Sequence, residues 1–208
     1  MPDTRKRVAL VDADAGGEGG AARLMLEDFA DALRAYARMG GAEPPETLWL
    51  EPGEPAWGGR PDALVIAFRL RGGTLPERVG RAADAAAGGA VPSYALCCTD
   101  GFDAADALPA LDALAARCGA TWRGGVSAGG GALVPLTARS PRMGTLRRWR
   151  SEAVDALVAA VRMGVGVEEA AALTRDETRR REGGVILARC PLPRPVYRLV
   201  GRLAERPR

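Results

Sequence analysis

The run Ala63-Leu-Val-Ile-Ala-Phe68 carries no polar residue over six positions, inside the longer stretch Asp62-Ala-Leu-Val-Ile-Ala-Phe-Arg-Leu-Arg71. A strand with one wet face alternates apolar and polar side chains. A strand without alternation is covered on both faces, as in the middle of a parallel sheet. Parallel neighbours need crossover connections, usually helices. This one stretch therefore commits the chain to alternating β and α elements.

The flanking sequence supplies that alternation. Residues 5–12 read as a first strand, and residues 20–39 as an amphipathic helix with Met25, Phe29, Ala32, Leu33 and Tyr36 along one face, stopped by Gly40-Gly41. A short strand at Thr47–Leu50 precedes the central one. Leu75-Pro76 opens a helix, Val91–Cys98 reads as a fourth strand, and a helix from about Ala104 to Cys118 ends at Gly119. Ala120-Thr-Trp-Arg-Gly-Gly-Val-Ser-Ala-Gly-Gly-Gly131 reads as a fifth strand with a glycine-rich exit. Residues 132–148 look irregular, and Trp149–Met163 forms a last core helix through Val154, Leu157, Val158 and Val161. Glu168–Glu182 is predicted as a charged, solvated helix, and Cys190-Pro-Leu-Pro-Arg-Pro-Val-Tyr197 as an extended segment leading into a basic tail. The expected fold is α/β, a five-stranded parallel sheet between two helical layers. With 208 residues and 47% apolar composition, a single domain is expected, its core at about 5–163 and a basic C-terminal extension at 164–208.

Composition removes several chemistries. Histidine is absent, and with it the commonest general base, the usual triads and the usual transition-metal ligand. The four cysteines, Cys97, Cys98, Cys118 and Cys190, have no metal or redox spacing and read as small buried residues. No apolar run is long enough to cross a bilayer, and Met-Pro-Asp-Thr-Arg-Lys-Arg leads directly into a strand, so a cytoplasmic protein without membrane association is expected. The net charge of +3 is unevenly spread: residues 1–138 hold 13 basic and 18 acidic groups, residues 139–208 hold 16 and 8. Arg147-Arg-Trp-Arg150 and Arg179-Arg-Arg181 read as solvated faces or dimer contacts, and no nucleic-acid partner is expected.

In an open parallel sheet, ligands bind beyond the carboxyl ends of the strands, where the winding reverses. Three loops leave such ends here: Asp12–Gly20, Arg69–Leu75 and Thr99–Asp103. All three are glycine-rich. At Asp62–Pro76, Tyr94–Phe102, Cys118–Gly131 and Pro191–Tyr197 the chain resembles the flavodoxin-like NAD(P)H-dependent FMN reductases. The resemblance implies a strand order of 2-1-3-4-5, FMN at the switch point, NAD(P)H as reductant and a small acceptor such as a quinone, a nitro compound or a flavin. It also implies a homodimer, and chemistry carried by the flavin rather than by a catalytic side chain. Asp14, Gly16, Gly17, Gly19 and Gly20 would then surround the phosphate. Arg69, Leu70, Arg71, Gly72, Gly73 and Leu75, with Thr99, Asp100, Gly101 and Phe102, would line the ring.

The sequence departs from that family at all three loops. The third, Thr99-Asp-Gly-Phe102, is about one residue longer than the family's usual turn and adds Asp100 and Asp103, while Phe102 keeps an aromatic in reach of a ring. Residues 12–22 contain no Ser or Thr to bond a phosphate, leaving backbone amides, the positive end of the next helix and Arg23, set against Asp12, Asp14 and Glu18. Arg69 and Arg71 stand where related reductases present a proline and an aromatic residue, and guanidinium groups suit carboxylates or phosphates. The alternative is a degenerate flavodoxin-like protein that binds no FMN and serves as a partner subunit or as a binder of another anion. Gly17-Glu-Gly-Gly-Ala-Ala22 also satisfies GxGxxA, a weak signal among 27 glycines. Asp12 and Asp14 resemble the Mg²⁺-binding acids of receiver domains, but no lysine follows the later strands. Phe68 and Trp122 read as core residues.

Overall fold

The computed structural model of the chain describes residues 6–14, 19–52 and 60–204. Strand β1 (Arg7–Asp12) leads through a loop into helix α1 (Ala21–Met39), and β2 (Glu46–Leu50) is followed by β3 (Ala63–Leu70), α2 (Glu77–Gly88) and β4 (Ser93–Thr99). A 3-10 turn, Ala104–Ala107, precedes α3 (Leu108–Cys118) and β5 (Trp122–Ala128). Then come the single turn α4 (Leu133–Leu136), α5 (Arg148–Met163), α6 (Val167–Thr174), β6 (Arg181–Glu182), β7 (Val185–Ala188) and α7 (Arg194–Ala204). One sheet runs in the order β2-β1-β3-β4-β5-β7-β6, with β6 alone antiparallel to its neighbour. The first five strands keep the flavodoxin-like order 2-1-3-4-5.

The continuous apolar run becomes the middle of that sheet, with Ala63–Phe68 all buried. Its alternate positions serve opposite layers. Ala63, Val65 and Ala67 pack with α1, α5 and α6, while Leu64, Ile66, Phe68 and Leu70 pack with α2 and α3. Burial of each large apolar side chain contributes about 1.5–3 kcal/mol, so a polar residue anywhere in this run would be destabilising on either face. Phe68 lies in the core, and Trp122 packs against it half-buried.

The sheet has seven strands rather than five. Val185-Ile-Leu-Ala188 adds parallel to β5, all four residues buried. Four apolar residues are too few to carry a period, which is why sequence pattern alone leaves them unassigned. Gly124 permits the addition, and Gly125 permits the close approach of β4 on the other side. Gly124 has φ +104, and a Cβ there would stand 2.3 Å from the Gly184 carbonyl oxygen; one on Gly125 would stand 2.7 Å from that of Ala95. The region expected as one solvated helix stops at Thr174 as α6, with Val167 and Ala170 in the core. The segment expected to stay extended turns helical at Arg194, with Pro195 in the first turn, where its missing N–H costs nothing.

The arginine-rich start of α5 departs furthest from expectation. Arg150 is fully buried, and Arg147 and Arg150 both reach Asp28 of α1, itself 1% exposed. Arg150 Nη1 donates to Thr137 Oγ1 at 2.5 Å, and Arg147 Nη1 donates to the carbonyl oxygens of Ala138 and Ser140. The pair therefore ties segment 133–147 onto α1 instead of facing water.

All four cysteines are free and buried. Burial pushes the Cys98 thiol up to about 12, with the Asp14 charge adding to it, and pushes Cys118 up to about 11. Since thiolate is the reactive form, a disulfide reagent at mildly alkaline pH is expected to titrate no thiol in the folded protein and all four in denaturant. Fast labelling of the native chain would contradict that packing. No described helix is long and apolar enough to cross a membrane.

Candidate ligand site at the carboxyl rim

Strands β1, β3 and β4 are neighbours, with Asp12 beside Ala67 and Leu70 beside Thr99. Chain winding reverses at β1, since β2 lies on one side of it and β3 on the other. The three glycine-rich loops therefore leave one rim together, as the sequence predicts. The ladder continues past the strand ends, with Ala13 N–H donating to Ala67 O at 2.8 Å and Asp100 N–H to Leu70 O at 3.2 Å.

In the first loop, Asp14 is only 8% exposed. Its N–H donates to Asp12 Oδ1 at 3.1 Å, its Oδ1 lies 4.0 Å from Arg71 Nη2, and its buried Oδ2 has no hydrogen-bond partner. Burial raises the Asp12 carboxyl above its ordinary value; the bond from Asp14 N–H opposes this and the Asp14 charge adds to it. Gly19, at φ +82, makes the turn into α1, and Gly20 precedes the helix without any side-chain cap. Among the described residues, therefore, no side chain caps the first-turn amides of α1. Arg23 points elsewhere: its guanidinium lies 3.6 Å from the Trp49 ring centroid and its Nε donates to Glu27 at 3.1 Å. Gly16, Gly17 and Glu18 lie outside the described residues.

The second and third loops are joined by an ion pair. Arg69 Nε donates to Asp100 Oδ1, the two side chains being 16% and 28% exposed. Burial alone would lower the Arg69 pKa; the bond and charge of Asp100 reverse that and leave it raised. Arg71 is largely exposed, while Leu70 and Leu75 face the α2/α3 layer. Gly72 and Gly73 both have positive φ, and a Cβ on either would meet nothing within 4 Å, so these glycines serve the turn rather than a close approach.

The third loop is clasped from behind. Thr99 is buried and its Oγ1 accepts from Gly101 N–H at 3.1 Å. Gly130 N–H donates to Gly101 O and Gly131 N–H to Thr99 O, both at 2.8 Å. Tyr197 of α7 donates its hydroxyl to Asp100 O at 2.5 Å, its ring centroid lies 5.8 Å from that of Phe102, and Arg194 covers the Phe102 ring at 5.3 Å. The glycines leaving β5 answer to this packing: a Cβ on Gly129 would stand 2.4 Å from Phe102 O, and one on Gly130 would stand 3.0 Å from Cys190 Sγ.

No protein-family model, curated protein or solved structure matches this chain. What the rim does must be argued from its own groups. Among the described residues, no three His, Cys, Asp or Glu side chains come together as a metal site. The flavin that the resemblance implies would need a hollow for a dianionic phosphate and a slot for a flat ring between the second and third loops. As they stand, these residues do not suit it. Asp14, a buried carboxylate, stands in the loop that would take the phosphate, and the Arg69–Asp100 pair spans the second and third loops. Tyr197 and Arg194 hold the third loop from a position about a hundred residues away in sequence; the quoted Pro191–Tyr197 motif marked that segment without revealing its contact.

Proposed function

We propose that the chain is a flavodoxin-like protein that holds no FMN at the rim and binds a different anionic ligand. The observation carrying this reading is Asp14: a carboxylate 8% exposed just past the end of β1, with its buried Oδ2 lacking a hydrogen-bond partner, in the loop that would have to hold a phosphate. A like charge about 4 Å away costs from about 1 kcal/mol in water to about 4 kcal/mol near a protein surface, and is met nearly twice over by FMN. A neutral hydrogen bond returns only about 0.5–1.5 kcal/mol. The Arg69–Asp100 pair adds the work of separating two half-buried charges before a ring could enter.

A second reading is favoured by the convergence of the three loops at the winding reversal and by the uncapped amides of α1. It is an FMN-dependent NAD(P)H oxidoreductase acting on a small acceptor, with flavin-borne chemistry and a homodimeric partner. The visible spectrum of purified protein, incubated with FMN and then desalted, decides between them. A colourless protein is expected; a yellow band retained at one flavin per chain and strengthened by Asp14→Ser favours the oxidoreductase.

A further inference from the structure

We infer that the cleft between the exit of β7 and the loop after β4 binds a small aromatic anion, a flat ring bearing a carboxylate or a phosphate. This deepens the proposed reading by naming the ligand class, and its lining includes none of Asp14, Arg69 or Arg71. The cleft holds about 920 Å³ and is walled by the rings of Phe102 and Trp149 and by Arg180, Arg189 and Arg194. Ligand sites in proteins run to about 300–1,000 Å³.

Each wall has a defined role. The Trp149 indole N–H is committed to Leu146 O at 3.2 Å, which fixes the ring and leaves its face for stacking. Arg194 is exposed and lies over Phe102 at 5.3 Å, a flat cation on a flat ring against which a second ring can be laid. Arg189 is exposed and has no ion pair or hydrogen bond among the described residues. Arg180 reaches Glu182 at 3.3 Å, with both side chains largely in water, so that pair is weak. The one acid in the lining, Asp103, uses Oδ1 to accept from Ala105 N–H at 3.1 Å. Three guanidinium groups against one partly occupied carboxylate leave a positive cleft between aromatic walls. Forked donors suit a carboxylate or phosphate in two-point contact. Cys190 lines the same space, but burial raises its thiol pKa, so the cleft presents no activated nucleophile and the inference is one of binding.

The test titrates the full chain with 4-nitrobenzoate and 4-nitrophenyl phosphate, following tryptophan fluorescence and heat, with uncharged 4-nitrobenzamide and inorganic phosphate as controls. Saturable binding of at least one aryl anion is expected, with both controls weaker by about ten-fold or more. Arg189→Glu should weaken it by about ten-fold, on the scale of one charge-assisted contact. Arg194→Glu should do the same, with unchanged far-UV circular dichroism and melting temperature for Arg189→Glu, whose side chain makes no ion pair or hydrogen bond among the described residues, showing that the loss is one of binding. Absence of saturable binding by both aryl anions, equal binding of 4-nitrobenzamide or inorganic phosphate, or indifference to both charge reversals would overturn the inference. FMN is itself an aromatic anion, and although Phe102 stands at both sites, variants at residues unique to each separate them. Flavin held in this cleft would be lost with Arg189→Glu and unmoved by Asp14→Ser, whereas flavin at the rim would be unmoved by Arg189→Glu and strengthened by Asp14→Ser.

Discussion

Asp28→Ala is expected to lower the free energy of unfolding by about 3–5 kcal/mol, the cost of removing one partner from a buried ionic network. Asp28 is the carboxylate that Arg147 and Arg150 share between α1 and α5. Without it, two guanidinium groups stay in the interior with only neutral acceptors. Arg150 is already under-satisfied, since Nε and Nη2 lack hydrogen bonds. Burial, followed by the charge of Arg147, lowers its pKa to about 10. A base whose folded pKa lies below its unfolded value takes up its proton less readily when folded. Stability from this group is therefore greatest at strongly alkaline pH and diminishes as pH falls through the window down to about 10, so at neutral pH Arg150 carries its full desolvation cost and depends on Asp28. Replacing the three together with apolar residues of similar volume should recover most of the loss. Denaturant unfolding of the single and triple variants measures both effects. A single variant as stable as the parent would mean that the network contributes nothing.

The other large effect concerns the rim. In a background where Arg69→Ser and Asp100→Asn open the gap between the second and third loops, Asp14→Ser is expected to strengthen FMN binding by ten-fold or more. One unit of repulsion at about 4 Å near a surface is worth up to about 4 kcal/mol, and each 1.4 kcal/mol is a factor of about ten. The serine would also supply a hydroxyl of the kind residues 12–22 lack. Asp14→Ser alone should gain far less, because the ring slot stays bridged. Equal gains in both backgrounds would show that the ion pair does not matter.

Much of this architecture is written in local pattern. Ala63–Phe68 reveals its position because burial on both faces erases alternation, and α1 is legible because Met25, Phe29 and Leu33 return at helical spacing above Gly40. β7 escapes such reading because four residues show no period, and only the fit of Gly124 against Gly184 reveals it. The arginines of α5 mislead for a different reason. A charge facing water and one facing Asp28 have the same local sequence, and Arg147 finds its partner 119 residues away. The rim loops were legible as a group through their glycines and their place after strands. What those glycines do was not: Gly72 and Gly73 serve a turn, a Cβ on either meeting nothing within 4 Å, while Gly129 and Gly130 at the exit of β5 are the ones held to Phe102 and Cys190 by close packing. The pairing of Arg69 with Asp100 likewise depends on a register between β3 and β4 that neither loop encodes alone.

On the proposed reading, the chain's own side chains occupy the place of a flavin. Its most direct test is an equilibrium titration of FMN against the unmodified protein, followed by quenching of flavin fluorescence. No saturable quenching at the rim is expected at micromolar concentration, and any quenching that occurs should vanish with Arg189→Glu. Saturable quenching at one FMN per chain that survives Arg189→Glu would contradict the claim and restore the oxidoreductase reading.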